Sequence, residues 1–461
     1  MSFIIVLGAL VFLMFVAYRG YSVILFAPVA AMLAVLFTDP SLVLPMFSGV
    51  FMDKMVGFVK LYFPVFMLGA IFGKVIELSG FSKSIVSAVI RFVGQKRAML
   101  SIVLVCAILT YGGVSLFVVV FAVYPFAAEM FKQGNIPKRL IPGTIALGAF
   151  TFTMDSLPGT PQIQNIIPTT FFNTNTYAAP WLGILGSIFI LVVGMAYLNW
   201  RRRVAAAKGE GYGTNLVNEP EPFEEQKLAN PWIAILPLVV VGILNKVFTV
   251  MVPRIYGDSV TVPIPGHPIT LQIGGLSAIW AVEGALLVGI LTVIALAFKP
   301  VITKFAEGTK AAVAGSLLAS MNTASEYGFG GVIAALPGFI VIADALRAIP
   351  NPLVNEAITV TVLAGITGSA SGGMSIALAA MSDTFIQAAH ASNIPLEVFH
   401  RVASMASGGM DTLPHNGAVI TLLAVTGLTH RTSYGDIFAV TIIKTIAVFV
   451  VIAFYYLTGI Y

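Results

Sequence analysis

Long apolar runs alternate with short polar joints along the whole chain. The runs 2–18, 21–38, 56–79, 180–200, 232–252, 272–298 and 435–460 each predict a spanning helix, since roughly 17–25 apolar residues cross a hydrocarbon core ~30 Å thick. Arg19 follows the first run, Ser2–Ala17, and no lysine or arginine precedes it. A signal peptide has the opposite order, so the expectation is a retained span with its N-terminus outside. The polar run 201–231 opens on three arginines and reads as a mobile cytoplasmic tether. Segments 82–94 and 339–349 are amphipathic and too short to span. They read as interfacial helices, suited to join a fixed part to a moving one.

Two regions break the pattern. Ala98 to Phe131 is apolar but interrupted by YGGVS at 111–115, with Lys96 and Arg97 before it and Lys132, Lys138 and Arg139 after it. Because basic flanks stay on the cytoplasmic side, the segment enters and leaves by one face. That predicts a hairpin with Gly112 and Gly113 at its tip, either re-entrant or a pair of full spans. The second region is TFTMDSLPGTPQIQN, 151–165, which places a carboxylate, two prolines, hydroxyls and amides inside the apolar segment 139–172.

Both features recur. FGKVI (72–76) matches FGGVI (329–333) at an offset of 257, and GF (80–81) matches GF (338–339) at 258. YGGVS (111–115) matches SGGMS (371–375) at 260, NIP (135–137) matches NIP (393–395) at 258, and MDSLP (154–158) matches MDTLP (410–414) at 256. Order and offset are both kept, so the chain divides into repeats 1–200 and 232–461 joined by 201–231. The first repeat makes five crossings, 2–18, 21–38, 56–79, 139–172 and 180–200. An odd number inverts the second repeat and puts both termini outside. On that topology 17 of the 25 cations are cytoplasmic, Lys54, Lys60, Arg254, Arg347 and Arg401 fall outside, and Lys74, Lys246 and Lys444 lie within spans. The asymmetry agrees with the positive-inside rule.

Composition narrows the class. The chain has 461 residues, 58% hydrophobic and 10% charged, with mean hydropathy +0.95, where soluble domains are about 25% charged. The expected fold is an all-α polytopic membrane protein of two inverted-topology repeats, with discontinuous helices and glycine-tipped hairpins. The net charge of +5 resides in loops and does not point to nucleic acid. The lone Cys106 excludes an intrachain disulfide and a cysteine-based metal site. No Ser–His or metal-ligand spacing appears among the five histidines, which argues against an enzyme, a metal or a cofactor.

The breaks carry the functional reading. Pro158, Gly159 and Pro161 open the first, and Pro414 and Gly417 the second. Prolines remove donors and disfavour helix before them, and non-helical backbone at membrane depth is tolerated only in protein or beside a water-filled cavity. Each break exposes a helix N-terminus suited to a carboxylate, and paired broken helices in inverted repeats point to a transporter's midplane site. The alternative is a structural kink. Asp155 and Asp411 occupy equivalent positions and are either proton carriers or helix caps. His415 is a titrating group or a core histidine. Glu326, with Asn322, Thr323 and Ser325, is a site or helix–helix glue. Glu283 suits a subunit or scaffold contact, and Glu129 and Asp383 are interfacial. No lysine or arginine stands in the breaks, so helix N-termini, amides and hydroxyls would hold the substrate. The candidates are Ser156, Thr160, Gln162, Asn165, Thr412 and Asn416, with Gly112, Gly113, Ser115, Gly372, Gly373 and Ser375 at the tips. Proton coupling falls to Asp155, Asp411, His415 and Glu326. A channel would need a continuous polar pore; here polarity gathers at two breaks.

MDTLPHNGAVITLLAVTGLTHRTSYGDIF (410–438), supported by MDSLPGTPQIQN (154–165), resembles the gluconate permease family of the ion transporter superfamily, and the likeness runs the length of the chain. The resemblance implies proton-coupled uptake of hydroxylated monocarboxylates across a bacterial inner membrane. By similarity to the superfamily it also implies a homodimer with scaffold and transport domains and elevator-type movement. The gluconate branch carries a polar HVNDSG stretch that this chain lacks, the nearest polar segment being SMNTASEYGFGG (320–331). The chain looks more like a branch associated with D-3-hydroxybutyrate, which needs fewer hydrogen-bonding partners. Gluconate-like sugar acids are the alternative.

Overall fold

The apolar runs form helices in the computed structural model, which describes residues 2–19, 21–94, 97–114, 116–214, 216–220, 228–339, 341, 349–414 and 416–461. In the first half α1 (Ser2–Tyr18) and α2 (Val23–Thr38) pair, and helical turns from Pro40 lead into α3 (Met52–Leu78). The amphipathic α4 (Phe81–Val93) follows at Gly80, as expected for 82–94. Its predicted counterpart at 339–349 lies largely outside the described residues. α5 (Ala98–Tyr111) and α6 (Leu116–Gln133) form a hairpin turned at Gly112 and Gly113, and Gly113 has φ +94°. The 14 residues of α5 reach about 21 Å at 1.5 Å per residue, short of the hydrocarbon thickness. α7 (Ile141–Ala149), one turn at Phe152–Asp155, and α8 (Ile163–Phe172) make up the interrupted helix, and α9 (Pro180–Ala207) closes the half.

The second half repeats this plan. α10 (Pro231–Tyr256) and α11 (Gly274–Leu296) are joined through an exposed antiparallel ribbon of β1 (Ser259–Val262) and β2 (Ile269–Gln272). Next come α12 (Phe305–Ala335), the hairpin α13 (Pro352–Thr367) and α14 (Ala370–Ala391), the interrupted pair α15 (Leu396–Ser407) and α16 (Gly417–Thr426), and α17 (His430–Thr458). α12 packs along α3, so the two FG(K/G)VI helices lie against one another, and α9 packs on α17. Apolar side chains such as Ile4, Leu25, Trp200, Trp232 and Ile243 remain exposed on α1, α2, α9 and α10, as lipid contact requires.

Three expectations are corrected. The 31-residue α12 was not among the predicted spans, because its glycines, serines and Glu326 dilute its hydropathy. The tip of the second hairpin is not at Gly372 and Gly373. Gly368 takes φ +65° and ends α13, and the Ser369 hydroxyl accepts from Gly372 N at 3.1 Å to cap α14. Gly372 and Gly373 stand in the first turn of α14, where a Cβ would collide with the Glu326 carboxylate and with Ala364 respectively. They serve close approach rather than turning.

The polar linker is not a free tether over its described part. Arg139 pairs with Glu210 at 2.6 Å, and that hydrogen bond holds the Glu210 carboxyl below its ordinary value. Tyr212 N donates to Asn135 Oδ1 at 3.1 Å, Lys138 Nζ to Val217 O at 2.7 Å, and Asn218 Nδ2 to Ala424 O at 2.9 Å. Glu210, Tyr212, Val217 and Asn218 thus tie the segment after α6 to α16. Asp436 on α17 receives Arg201 at 2.5 Å, Arg139 at 3.3 Å and the Tyr197 hydroxyl at 2.9 Å, fastening both halves at the same end.

Candidate functional site

Each break is tied to the hairpin tip of its own half by a side-chain amide at the N-cap of the following helix. Gln162 precedes α8, and its Nε2 donates to Thr110 O at 2.7 Å, beside Gly112. Asn416 precedes α16, and its Nδ2 donates to Gly368 O at 2.8 Å. The Tyr111 hydroxyl adds a bond to Pro158 O at 3.0 Å. Each tip therefore ends at a break, midway along an interrupted helix. The two N-caps differ. Asn416 Oδ1 accepts from Val419 N at 2.9 Å, whereas no side chain caps α8, whose N-terminus keeps its capacity for an anion.

Two buried cations join the breaks, where the sequence predicted none. Arg401 on α15, expected outside, is fully buried. It donates to Ala178 O at 2.7 and 3.1 Å, to Asn165 Oδ1 at 3.0 Å, and more weakly to Thr176 O and Asp155 O at 3.4 Å. Lys444 on α17 donates to Asp411 Oδ1 at 2.5 Å and to Phe150 O at 3.0 Å. One cation thus runs from the second half to the first break, and the other spans both breaks. His400 joins this brace through Thr174 Oγ1 at 2.6 Å and Asn165 Oδ1 at 3.2 Å.

Neither aspartate caps the helix after its break; Gln162 and Asn416 hold those positions. The capping alternative therefore falls. Asp155 Oδ1 accepts from Ser156 Oγ at 2.7 Å, and its Oδ2 is buried without a hydrogen-bond partner. A Cβ at Gly408 would strike that oxygen, so the end of α15 is shaped around it. Asp155 lies within electrostatic reach of Lys444, Asp411 and Arg401. Glu326 Oε2, on α12 against Gly372, is likewise buried and unpartnered. Beside it the Thr323 and Ser371 hydroxyls bond at 3.2 Å, joining α12 to α14.

The remaining candidates are mostly engaged internally. Thr160 Oγ1 donates to Thr153 O at 2.8 Å, Asn165 Nδ2 to Thr160 O and Thr176 O at 3.0 and 2.9 Å, and Thr412 Oγ1 meets Thr441 Oγ1 at 2.5 Å. Ser375 Oγ is buried without a partner. Ser115 and His415 lie outside the described residues. Sequence reasoning missed Arg401, His400 and the fully buried Glu356 on α13, both of whose oxygens lack a partner. An ionisable residue in a spanning segment is a functional pointer by default, and that rule could have flagged Glu356.

Two helical hairpins meeting two interrupted helices, with buried ionisable groups between them, define a multi-pass membrane transporter. No family model matches the chain. A Bacillus subtilis (strain 168) protein described as uncharacterized transporter YxjC is 61% identical over 470 residues, covering all of both chains. The chain belongs to that transporter family. In fold it is similar to the crystal structure of the Alcanivorax borkumensis YdaH transporter, which is described as having an unusual topology. The TM-score is 0.52 at 16% identity, and 88% of each chain is covered.

Proposed function

We propose that the protein is a secondary transporter that takes up a small hydroxy-monocarboxylate, D-3-hydroxybutyrate foremost, in symport with protons. The observation that carries this reading is the Asp155 carboxylate, buried with one oxygen unpartnered in a break that also presents the uncapped N-terminus of α8. An unpaired polar group at membrane depth costs several kcal/mol, so such an oxygen is a natural seat for a transported proton. Asp411 and Glu326 are the companion proton groups, with His415 beside the second break. The substrate carboxylate would lie at the α8 N-terminus near the Gly113 tip, with Ser156 and the second-half tip closing over it. The substrate class comes from the resemblance to the gluconate permease family; gluconate and related sugar acids are the alternative. The same reading places the protein in a bacterial inner membrane as a homodimer, with repeats 1–200 and 232–461 inverted, both termini outside, and an elevator movement.

A thermal-shift screen of purified protein tests the substrate class. D-3-hydroxybutyrate is expected to raise the unfolding midpoint more than gluconate at equal concentration. A larger shift with gluconate selects the sugar-acid alternative, and no shift with any hydroxy acid removes the class.

A further inference from the structure

A cavity of about 330 Å³ lies away from the breaks, between α3, α12 and the far end of α8. Its apolar wall is an aromatic cluster. Phe58 stands 5.7 Å from Tyr327 and Phe171 6.2 Å from Tyr327, ring centroid to centroid. Its polar wall holds Asp53, Lys54, Tyr62 and Thr170. The Tyr62 hydroxyl bonds Thr170 Oγ1 and, at 3.3 Å, Ile167 O, so the cavity sits where α8 is fastened to α3.

α12 makes room for the stem of Lys54. The stem of Lys54 packs where α12 has Gly331, and a Cβ at that glycine would stand 2.7 Å from Lys54 Cγ. Among the described residues Lys54 makes no ion pair or hydrogen bond, unlike the buried Lys444. Asp53 on the same wall also lacks a partner among the described residues and offsets the long-range field of Lys54. Discrimination must then come from short-range geometry, with a carboxylate on the ammonium and a hydroxyl donating to Asp53 or Thr170. An apolar tail would lie on the Phe58–Tyr327 wall. From this cavity the 10-residue α8 leads about 15 Å to the break at Gln162.

We propose that this cavity is an external capture site for a small hydroxy-monocarboxylate, with Lys54 the group that selects the carboxylate. The proposal rests on the transport reading and adds to it a second, outer site. A hydrogen bond to a charged group is among the stronger single contacts, so loss of Lys54 is expected to raise KM about tenfold, which corresponds to about 1.4 kcal/mol.

The test is initial-rate uptake of D-3-hydroxybutyrate and gluconate into proteoliposomes by the full chain. Lys54→Gln is expected to raise KM about tenfold with the maximal rate within about twofold, and Lys54→Arg to restore most of the loss. Gly57 also lines the cavity, and a Cβ there meets no atom within 4 Å. Gly57→Leu therefore fills the space without a clash at Cβ, and is expected to raise KM while leaving the unfolding midpoint unchanged. Wild-type KM in both Lys54→Gln and Gly57→Leu overturns the capture site and leaves the transport reading standing. Wild-type protein that takes up neither acid overturns both.

Discussion

Lys444→Met is expected to destabilise the protein by on the order of 3–5 kcal/mol and to abolish substrate accumulation. The ammonium is buried, 2.5 Å from Asp411 Oδ1 and 3.0 Å from Phe150 O. Its loss strands the Asp411 carboxylate in a closed interior and leaves a carbonyl of the first break without its donor. Removing one member of a buried pair costs far more than removing both. The double variant Lys444→Met/Asp411→Asn is therefore expected to recover much of the unfolding midpoint without recovering uphill transport. Unfolding curves in detergent separate the two effects. A single variant with a wild-type midpoint would show that the two breaks are not held together by this pair.

Arg401→Lys is expected to be nearly as damaging as Arg401→Leu. Arg401 serves carbonyls at 178, 176 and 155 and the Asn165 amide oxygen from one planar fork. A lysine keeps the charge but cannot reach these acceptors together. Each buried acceptor left unsatisfied costs about 1–3 kcal/mol, so a loss of several kcal/mol is expected. The readout is the unfolding midpoint, alongside the fraction of monodisperse protein on size exclusion. A lysine variant that behaves as wild type would reduce Arg401 to a point charge and remove the brace between α15 and the first break.

Much of this architecture is legible along the chain because repeats keep their spacing. NIP and MD(S/T)LP mark the start and the break of each interrupted helix, and the structure places α7 with its break and α15 with its break accordingly. The first hairpin tip was readable from two glycines between apolar runs. The second was not, because the similarity of SGGMS to YGGVS drew attention from Gly368, whose left-handed backbone makes the turn. The brace was hidden for a different reason. LEVFHRVASMAS carries a polar face of the kind that meets water, but residues 398–407 are buried on every face, with His400 and Arg401 fully buried. Lys444 was visible as a cation within a span, yet its partner lies 33 residues away and only tertiary packing reveals it. α12 was obscured because hydropathy averages over all faces, whereas the helix buries its glycines and serines against α3 and α14.

The most direct measurement is accumulation of D-3-hydroxybutyrate in proteoliposomes under an imposed proton gradient. One pH unit is worth about 1.4 kcal/mol per proton, or roughly tenfold accumulation for symport of one anion with one proton. The expected result is uphill uptake that follows the pH gradient, with Asp155→Asn losing accumulation while still exchanging labelled for unlabelled substrate. Accumulation driven by a sodium gradient alone, indifferent to pH and unchanged in Asp155→Asn and Asp411→Asn, would contradict proton coupling through the two breaks.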